Sequence, residues 1–181
     1  TVIPTAEEDY ADEPESPYGV AKKRLNELIK IMSRNSNLKY SILNLSNVYG
    51  PRQDPNGEAG VISIFANKYL NNEKPIIYGD GEQTRDYIFV KDVISALIKA
   101  SKIDENHFLN IGTGQEKSVN DLANSMKIQF NSGIEPTYKP AREGELKRSV
   151  LNNAKAKRDL DWEPVYSLDD GMEAVFNWLK S

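Results

Sequence analysis

Apolar residues recur along this chain at the spacings typical of helices and of strands. Ser16 suits the cap of a helix and Pro17 suits its first position. A helical spacing of apolar positions follows them, at Ala21, Leu25, Leu28, Ile29 and Met32. The next apolar run, residues 39–45, predicts a mostly buried strand. The segment before the helix, residues 1–15, is polar, acidic and punctuated by proline, which predicts a loop.

The same alternation continues through the rest of the chain. Segments 75–78 and 108–111 predict strands, and segment 47–60, rich in Gly, Pro and Asn, predicts a long loop. Segments 62–70 and 90–101 predict helices, the second with one apolar face turned inward. The inward residues of this second helix are predicted to be Val93, Ile94, Leu97 and Ile98.

Two further helices are indicated by capping boxes, in which a serine and a following aspartate satisfy each other's backbone N–H groups. The pairs are Ser118 with Asp121 and Ser167 with Asp170. Strands that alternate with helices predict an α/β protein with a partly parallel sheet. A complete doubly wound sheet would need more strands than this chain supplies. No glycine-rich turn of the dinucleotide-binding type joins a strand to a helix.

Composition narrows the class of protein. The 181 residues are 39% hydrophobic and 28% charged, which is typical of a soluble globular chain. A net charge of −4 supplies no global field that would attract nucleic acid or a membrane surface. The absence of cysteine excludes disulfides and thiolate metal sites and suggests a cytoplasmic protein. Since His107 is the only histidine, no transition-metal cluster is predicted, and we interpret His107 as structural.

The most informative local pattern is Tyr18 followed by Lys22, which become neighbours on one face if the segment is helical. A nearby ammonium favours a phenolate over a phenol, so such a pair can make a proton acceptor that works near neutral pH. Alone the pattern is weak, because an exposed polar helix face has the same spacing. Its meaning depends on the motifs that follow it.

Five stretches stand in order along the chain. They are Tyr18-Gly-Val-Ala-Lys22, Leu45-Ser-Asn-Val-Tyr-Gly-Pro-Arg52, Gly79-Asp-Gly-Glu-Gln-Thr-Arg-Asp-Tyr87, Asn110-Ile-Gly-Thr-Gly114 and Pro140-Ala-Arg-Glu-Gly-Glu145. With these motifs the chain resembles the second half of an extended short-chain dehydrogenase/reductase that acts on nucleotide sugars. The family it resembles most is that of the UDP-glucose 4-epimerases.

The resemblance implies an α/β fold that combines the C-terminal part of a Rossmann-type parallel sheet with a smaller substrate-binding domain. Residues 1–50 would belong to the NAD-binding domain, and residues 51–181 mainly to the substrate domain, with 90–112 returning to the Rossmann sheet. It also implies that the glycine-rich loop and a catalytic Ser or Thr lie upstream of Thr1. We therefore expect a fragment that has no activity alone. The resemblance further implies a homodimer when the protein is full length, paired through the helix that begins at Pro17 and the helix before it.

The resemblance also assigns roles to residues. Tyr18 would accept the proton of the sugar 4-hydroxyl, and Lys22 would hold the phenolate and contact the ribose of NAD. Leu45 would lie against the cofactor. This implies NAD-dependent 4-epimerisation of a UDP-hexose through a 4-keto intermediate.

A second set of residues would bind the UDP-sugar. Arg85 and Arg142 would clamp the diphosphate, since a guanidinium matches phosphate oxygens bidentately. Either could instead form a surface ion pair with a neighbouring acid, such as Asp86 or Glu143. The remaining candidates are Asn47 at the diphosphate, Val61 and Tyr78 near uracil, Tyr87, Glu145 at the ribose hydroxyls, and Ser149 beside the sugar C2 substituent. For Asn47 ordinary turn chemistry is the alternative, and Glu145 stands where the family usually has Asp.

Three rival interpretations remain open. The dTDP-glucose 4,6-dehydratases and the UDP-glucuronate decarboxylases share these motifs, and the residues that separate them would lie upstream of Thr1. A non-catalytic nucleotide-sugar-binding module would keep Arg85 and Arg142 but would not need Tyr18 and Lys22.

Overall fold

The structure is a computed structural model that describes residues 2–9, 14, 16–56 and 60–181. Part of the loop predicted over residues 1–15 therefore lies outside the described residues. The helices are α1 (Pro17–Arg34), α2 (Val61–Leu70), α3 (Val90–Ala100), α4 (Val119–Gln129), α5 (Ala154–Leu160) and α6 (Leu168–Leu179). The strands are β1 (Ser41–Leu45), β2 (Asn47–Tyr49), β3 (Ile76–Tyr78), β4 (Thr84–Arg85), β5 (Tyr87–Phe89), β6 (His107–Ile111), β7 (Lys117–Ser118), β8 (Thr137–Lys139) and β9 (Arg148–Ser149).

Helix starts follow the capping chemistry read from the sequence. The backbone N–H of Gly19 donates to the Ser16 side chain at 3.1 Å, which caps α1 as predicted. Both predicted capping boxes are present, at the first residues of α4 and α6. The cap residues therefore fix where these helices begin.

The strands form several small sheets, and most of the pairings are parallel. β1 pairs with β6, β2 with β5, and β3 with β8, all parallel. β4 lies between β7, which is antiparallel to it, and β9, which is parallel. The mixed α/β class is as expected from the alternation of helices and strands.

One predicted loop begins instead as a strand. The segment 47–60 was expected to be loop throughout, but Asn47–Tyr49 forms β2 beside β5. Val48 and Tyr49 suit a strand, but Asn47, Gly50 and Pro51 are turn residues, and these hid a pairing with a strand far along the chain. A similar correction applies near the N-terminus. Glu7 lies in a short 3-10 helix over Glu7–Asp9, where its buried carboxylate accepts from the backbone N–H of Asn110 at 2.7 Å.

Two hydrophobic clusters meet at β5, whose side chains alternate between them. Tyr87 and Phe89 pack in a cluster built around α2, α4 and α6. Ile88 faces the other way, into a cluster with residues of α3, β6 and α5. A fully buried strand of this kind places successive residues in separate environments.

The predicted inward face of α3 is wrong for three of its four residues. Val93 is buried, but Ile94, Leu97 and Ile98 are each about half exposed. The stripe that packs is Val93, Ala96 and Ala100. Because α3 is apolar on two faces, its periodicity identified a helix without telling which face meets the core. Among the described residues, no helix has the length and apolar content needed to cross a membrane.

Candidate functional site

A cavity of about 470 Å³ opens between β2, β3, β4, β5 and α2. Seven of the predicted substrate contacts line it, namely Asn47, Val61, Tyr78, Arg85, Tyr87, Arg142 and Glu145. These residues come from five separate segments of the sequence. The fold therefore brings residues that are distant in the sequence together around one cavity.

Strand geometry explains why several of these side chains face the cavity. Gln83, Arg85 and Tyr87 are two residues apart and all line it, as expected where alternate side chains share a face. Asn47 is the first residue of β2, and its backbone N–H donates to the carbonyl of Asp86 at 2.8 Å. This bond fixes Asn47 beside the pair Arg85 and Tyr87.

The two arginines are held in different ways. The Nη2 atom of Arg85 lies 3.4 Å from a carboxylate oxygen of Glu145, and its Nη1 donates to the carbonyl of Thr84 at 2.8 Å. The guanidinium carbon of Arg142 lies 4.0 Å from the ring centroid of Tyr78, a cation–π contact. Gln83 donates to the Tyr78 carbonyl at 2.9 Å and steadies the strand end below that ring. Two cations thus flank one wall of the cavity.

Tyr87 carries an unused hydrogen-bonding group. Its ring is buried, and its hydroxyl has no hydrogen-bond partner within the described residues. Burial raises the pKa of Tyr87 to about 12, against an opposing effect of Arg85, so the hydroxyl keeps its proton at neutral pH. An unpaired buried hydroxyl is costly. A polar atom in the cavity would relieve that cost.

The suggested ion pair between Arg85 and Asp86 does not form, and this corrects the alternative considered for Arg85. Asp86 is only 1% exposed and accepts hydrogen bonds from Thr113, Gly114 and Leu151. The acid that Arg85 contacts is Glu145. Adjacent residues in an extended segment point to opposite faces, so Asp86 faces away from the cavity.

The remaining candidates do not line this cavity. Tyr18 lies on α1 and is 72% exposed, with the Lys22 ammonium 5.4 Å from its ring centroid. Leu45, the last residue of β1, is also exposed. Ser149 is half-buried in β9, paired in register with Arg85. The predicted contact between Tyr18 and Lys22 is thus formed, but on a surface separate from the cavity lining.

Sequence reasoning missed several residues of the lining. Gln83 lies two residues before Arg85, so strand alternation alone would have placed it on the same face. Lys68 reaches the cavity from α2, where it also forms an ion pair with Glu73. No motif pointed to Lys68, because its position depends on how α2 packs. His107 begins β6 and is buried away from the cavity.

Within residues 2–9, 14, 16–56 and 60–181, no group of three or more His, Cys, Asp or Glu side chains is placed to hold a metal ion. The polar groups around the cavity are cations, amides, a carboxylate and two phenols. That set suits an anionic ligand that also carries hydroxyl groups.

Comparison with known proteins supports the family. The family model described as GDP-mannose 4,6 dehydratase matches residues 2–175. A putative UDP-glucose 4-epimerase of Methanocaldococcus jannaschii is 46% identical over 175 residues, which are 97% of this chain and 57% of that protein. The crystal structure of UDP-glucose 4-epimerase with UDP-glucose from Thermotoga maritima superposes with a TM-score of 0.96 at 42% identity. It is matched by 99% of this chain, which covers 58% of that protein.

A third relative carries a cofactor in its crystal structure. The UDP-glucose 4-epimerase of Thermus thermophilus in complex with NAD superposes with a TM-score of 0.86 at 31% identity. It is matched over 97% of this chain and 57% of its own length. This chain therefore spans a little more than half the length of these three relatives.

Proposed function

Since this chain belongs to the GDP-mannose 4,6-dehydratase family of extended short-chain dehydrogenase/reductases, we propose that it serves NAD-dependent 4-epimerisation of a UDP-hexose through a 4-keto intermediate. The observation that carries the proposal is the single cavity lined by Arg85, Arg142, Glu145 and Tyr78. Its two guanidinium groups suit a diphosphate, its carboxylate suits ribose hydroxyls, and its aromatic ring suits a base.

The binding residues would hold the nucleotide in one orientation. Arg85 would exchange its 3.4 Å contact with Glu145 for a phosphate oxygen, which frees that carboxylate for the ribose. Asn47 would donate its side-chain amide to the diphosphate, and Val61 and Tyr78 would border uracil. The unpartnered hydroxyl of Tyr87 would donate to the ligand. These contacts come from this chain alone.

The proton at the sugar 4-hydroxyl would be handled by α1. The ammonium of Lys22 lies 5.4 Å from the ring centroid of Tyr18, which supports the pairing, and the exposure of Tyr18 would leave the phenol open to a sugar. The donor set also fits NAD, because an ammonium and a phenol suit ribose hydroxyls, with Leu45 exposed at the end of β1. The chemistry that NAD supplies when bound is the removal and return of hydride at C4. Tyr18 would take the hydroxyl proton and later return it, so the base is regenerated.

The activity of these 181 residues alone, their pairing and the range of sugars they accept are part of the same proposal. The sequence contains no glycine-rich dinucleotide turn, so we propose that these 181 residues alone bind the nucleotide sugar without turning it over. We also propose pairing through α1, which buries none of its residues and leaves Leu25, Leu28 and Met32 about half exposed. Ser149 would leave room for an N-acetyl group at C2, so UDP-N-acetylglucosamine would also be accepted.

The test is an assay with UDP-galactose and NAD, run on the full-length protein. We expect UDP-glucose to accumulate to an equilibrium mixture with no net consumption of NAD. A 4-keto-6-deoxy product would point to a dehydratase, and release of carbon dioxide from UDP-glucuronate would point to a decarboxylase. Tight UDP-sugar binding without turnover in every form would favour a binding module.

A further inference from the structure

Asp86 lies between two cavity residues, at the junction of β4 and β5, and it is only 1% exposed. Its side chain is outside the cavity lining, so it has no contact with a ligand there. We propose that Asp86 is a positioning residue that sets the geometry of the diphosphate clamp. This inference rests on the proposed function and names a residue through which the binding site is held together.

The carboxylate of Asp86 joins its own strand junction to two segments that are distant in the sequence. Its Oδ1 accepts from the backbone N–H of Thr113 at 2.9 Å and from the Thr113 hydroxyl at 2.6 Å. Its Oδ2 accepts from the backbone N–H groups of Gly114 at 3.2 Å and of Leu151 at 3.3 Å. Both oxygens are therefore used as acceptors, and hydrogen bonds of this charge-assisted kind are strong.

The backbone of the same residue holds two further site residues. Its carbonyl accepts from the N–H of Asn47 at 2.8 Å, and its N–H donates to the carbonyl of Ser149 at 3.0 Å. Asn47 lines the cavity, and Ser149 lies in the strand paired with Arg85. Asp86 is thus hydrogen-bonded, through backbone or side chain, to β2, to the turn after β6 and to the segment that contains β9.

There is little space for the carboxylate to move. A Cβ atom built on Gly112 would lie 2.4 Å from Oδ2 of Asp86, which is closer than real Cβ contacts. Glycine at position 112 lets the strand end approach the carboxylate this closely. Since Arg85 and Tyr87 are covalent neighbours of Asp86, any shift of Asp86 is passed directly to both cavity side chains.

An Asp86→Asn variant tests this role. The amide keeps the size of the side chain but has one acceptor oxygen, so one pair of N–H or O–H donors must face its NH2 group. Asp92→Asn is a matched control. Asp92 is also 1% exposed and accepts from two backbone N–H groups, those of Val165 and Tyr166, but none of these three residues lines the cavity.

Each folded variant would be titrated with UDP and with uridine by solution NMR. We expect Asp86→Asn to weaken UDP binding on the order of tenfold, because a small misplacement of a clamp is costly. Its affinity for uridine should stay close to that of the parent chain, since uridine has no diphosphate. Asp92→Asn should leave both affinities unchanged while lowering the thermal midpoint. A loss common to both ligands, or an equal loss in both variants, would overturn the positioning role.

A second pair of variants decides the matter if Asp86→Asn does not fold. Thr113→Val removes the hydroxyl that donates to Asp86 and accepts from the backbone N–H of Gln115, which lies outside the cavity, and Thr113→Ser keeps it. We expect the valine variant to lose UDP affinity selectively and the serine variant to retain it. Equal UDP affinity for all three chains would overturn the inference. If the parent chain itself does not bind UDP, the proposed function fails, which is a different result from parent binding with insensitive variants.

Discussion

The cavity and the surface of α1 are built in opposite ways. Around the cavity, residues from five other segments converge on β4 and β5, and backbone hydrogen bonds such as that between Asn47 and Asp86 fix the backbone. On α1 no residue is buried, and Tyr18 contacts Lys22 within the same helix. The cavity therefore has its geometry set by tertiary packing, whereas, among the described residues, helical spacing is what places Lys22 beside Tyr18. The proposed binding residues are held by tertiary packing, whereas the proposed proton acceptor stands on an exposed helix face.

The largest expected effect is on turnover, when the proposed proton acceptor on α1 is removed. In the form of the protein that carries activity, we expect Tyr18→Phe to lower turnover about 10² to 10⁴-fold, the usual contribution of a positioned acid or base. UDP affinity should be nearly unchanged, because Tyr18 does not line the cavity. Tyr138→Phe, at another exposed tyrosine, is the control for loss of a hydroxyl. A turnover loss below about tenfold would remove Tyr18 from the mechanism.

Substitutions beside the cavity and on α1 should also differ in their effect on the free energy of unfolding. Leu122 is fully buried in the cluster beside the cavity, so Leu122→Ala should cost about 2 to 5 kcal/mol in the free energy of unfolding. Leu28 on α1 is about half exposed, so Leu28→Glu should change that free energy by less than about 0.5 kcal/mol in a monomer. Denaturant titration measures both. Similar costs for the two variants would mean that α1 is packed more tightly than its exposure indicates.

Ligand affinity should respond on the cavity side. Arg85→Ala and Arg142→Ala should each weaken UDP binding by roughly tenfold or more, since a charge-assisted hydrogen bond contributes about 1.5 to 3 kcal/mol. Arg158→Ala is the matched control, because Arg158 is exposed, pairs with Asp159 and lies outside the cavity. Calorimetric titration with UDP distinguishes them. An unchanged dissociation constant in the Arg85 and Arg142 variants would assign both to structural pairs.

The smallest expected effect is on the pH dependence of thermal stability, through Glu116, which joins strands next to the cavity. Hydrogen bonds from Arg148 and Thr84 lower the pKa of Glu116 from 4.5 to about 2. The folded-state pKa is depressed, so the stabilisation is present above the ordinary value and is lost as pH falls toward about 2. We therefore expect Glu116→Gln to lower the thermal midpoint slightly at neutral pH, and the difference from the parent chain to shrink below pH 4.5. Solvent screening keeps this effect small.

The exposed pair between Arg24 and Glu27 on α1 offers the comparison. Glu27→Gln should leave the thermal midpoint unchanged across the same pH range, because exposed pairs contribute little. If both variants showed the same pH dependence, Glu116 would have no special role in joining β4 to β9.

The sequence was informative where chemistry is local. The cap at Ser16 and the two capping boxes were confirmed because a cap depends on residues within one turn. Arg85, Arg142 and Asn47 stand in motifs that carry the resemblance to the family, and all three line one cavity. The roles of these residues remain predictions.

Errors arose where structure depends on distant partners. β2 was hidden because its partner β5 lies far along the chain, and the inner face of α3 was misjudged because two of its faces are apolar. From the sequence, Asp86 is predicted only as a possible surface ion-pair partner of Arg85. Its true contacts come from Thr113, Gly114 and Leu151, which no local pattern links to it. Pairings across the chain follow from packing, which periodicity does not encode.

The most direct test of the proposed nucleotide-sugar site is to titrate the isotope-labelled chain with UDP-glucose and follow the backbone amides by NMR. We expect saturable shifts at Asn47, Val61, Tyr78, Arg85 and Glu145, all of which line the cavity. Residues of α5 that lie outside the cavity, such as Arg158, should not shift. Shifts confined to another surface, or none at millimolar ligand, would contradict the assignment of this cavity to a nucleotide sugar.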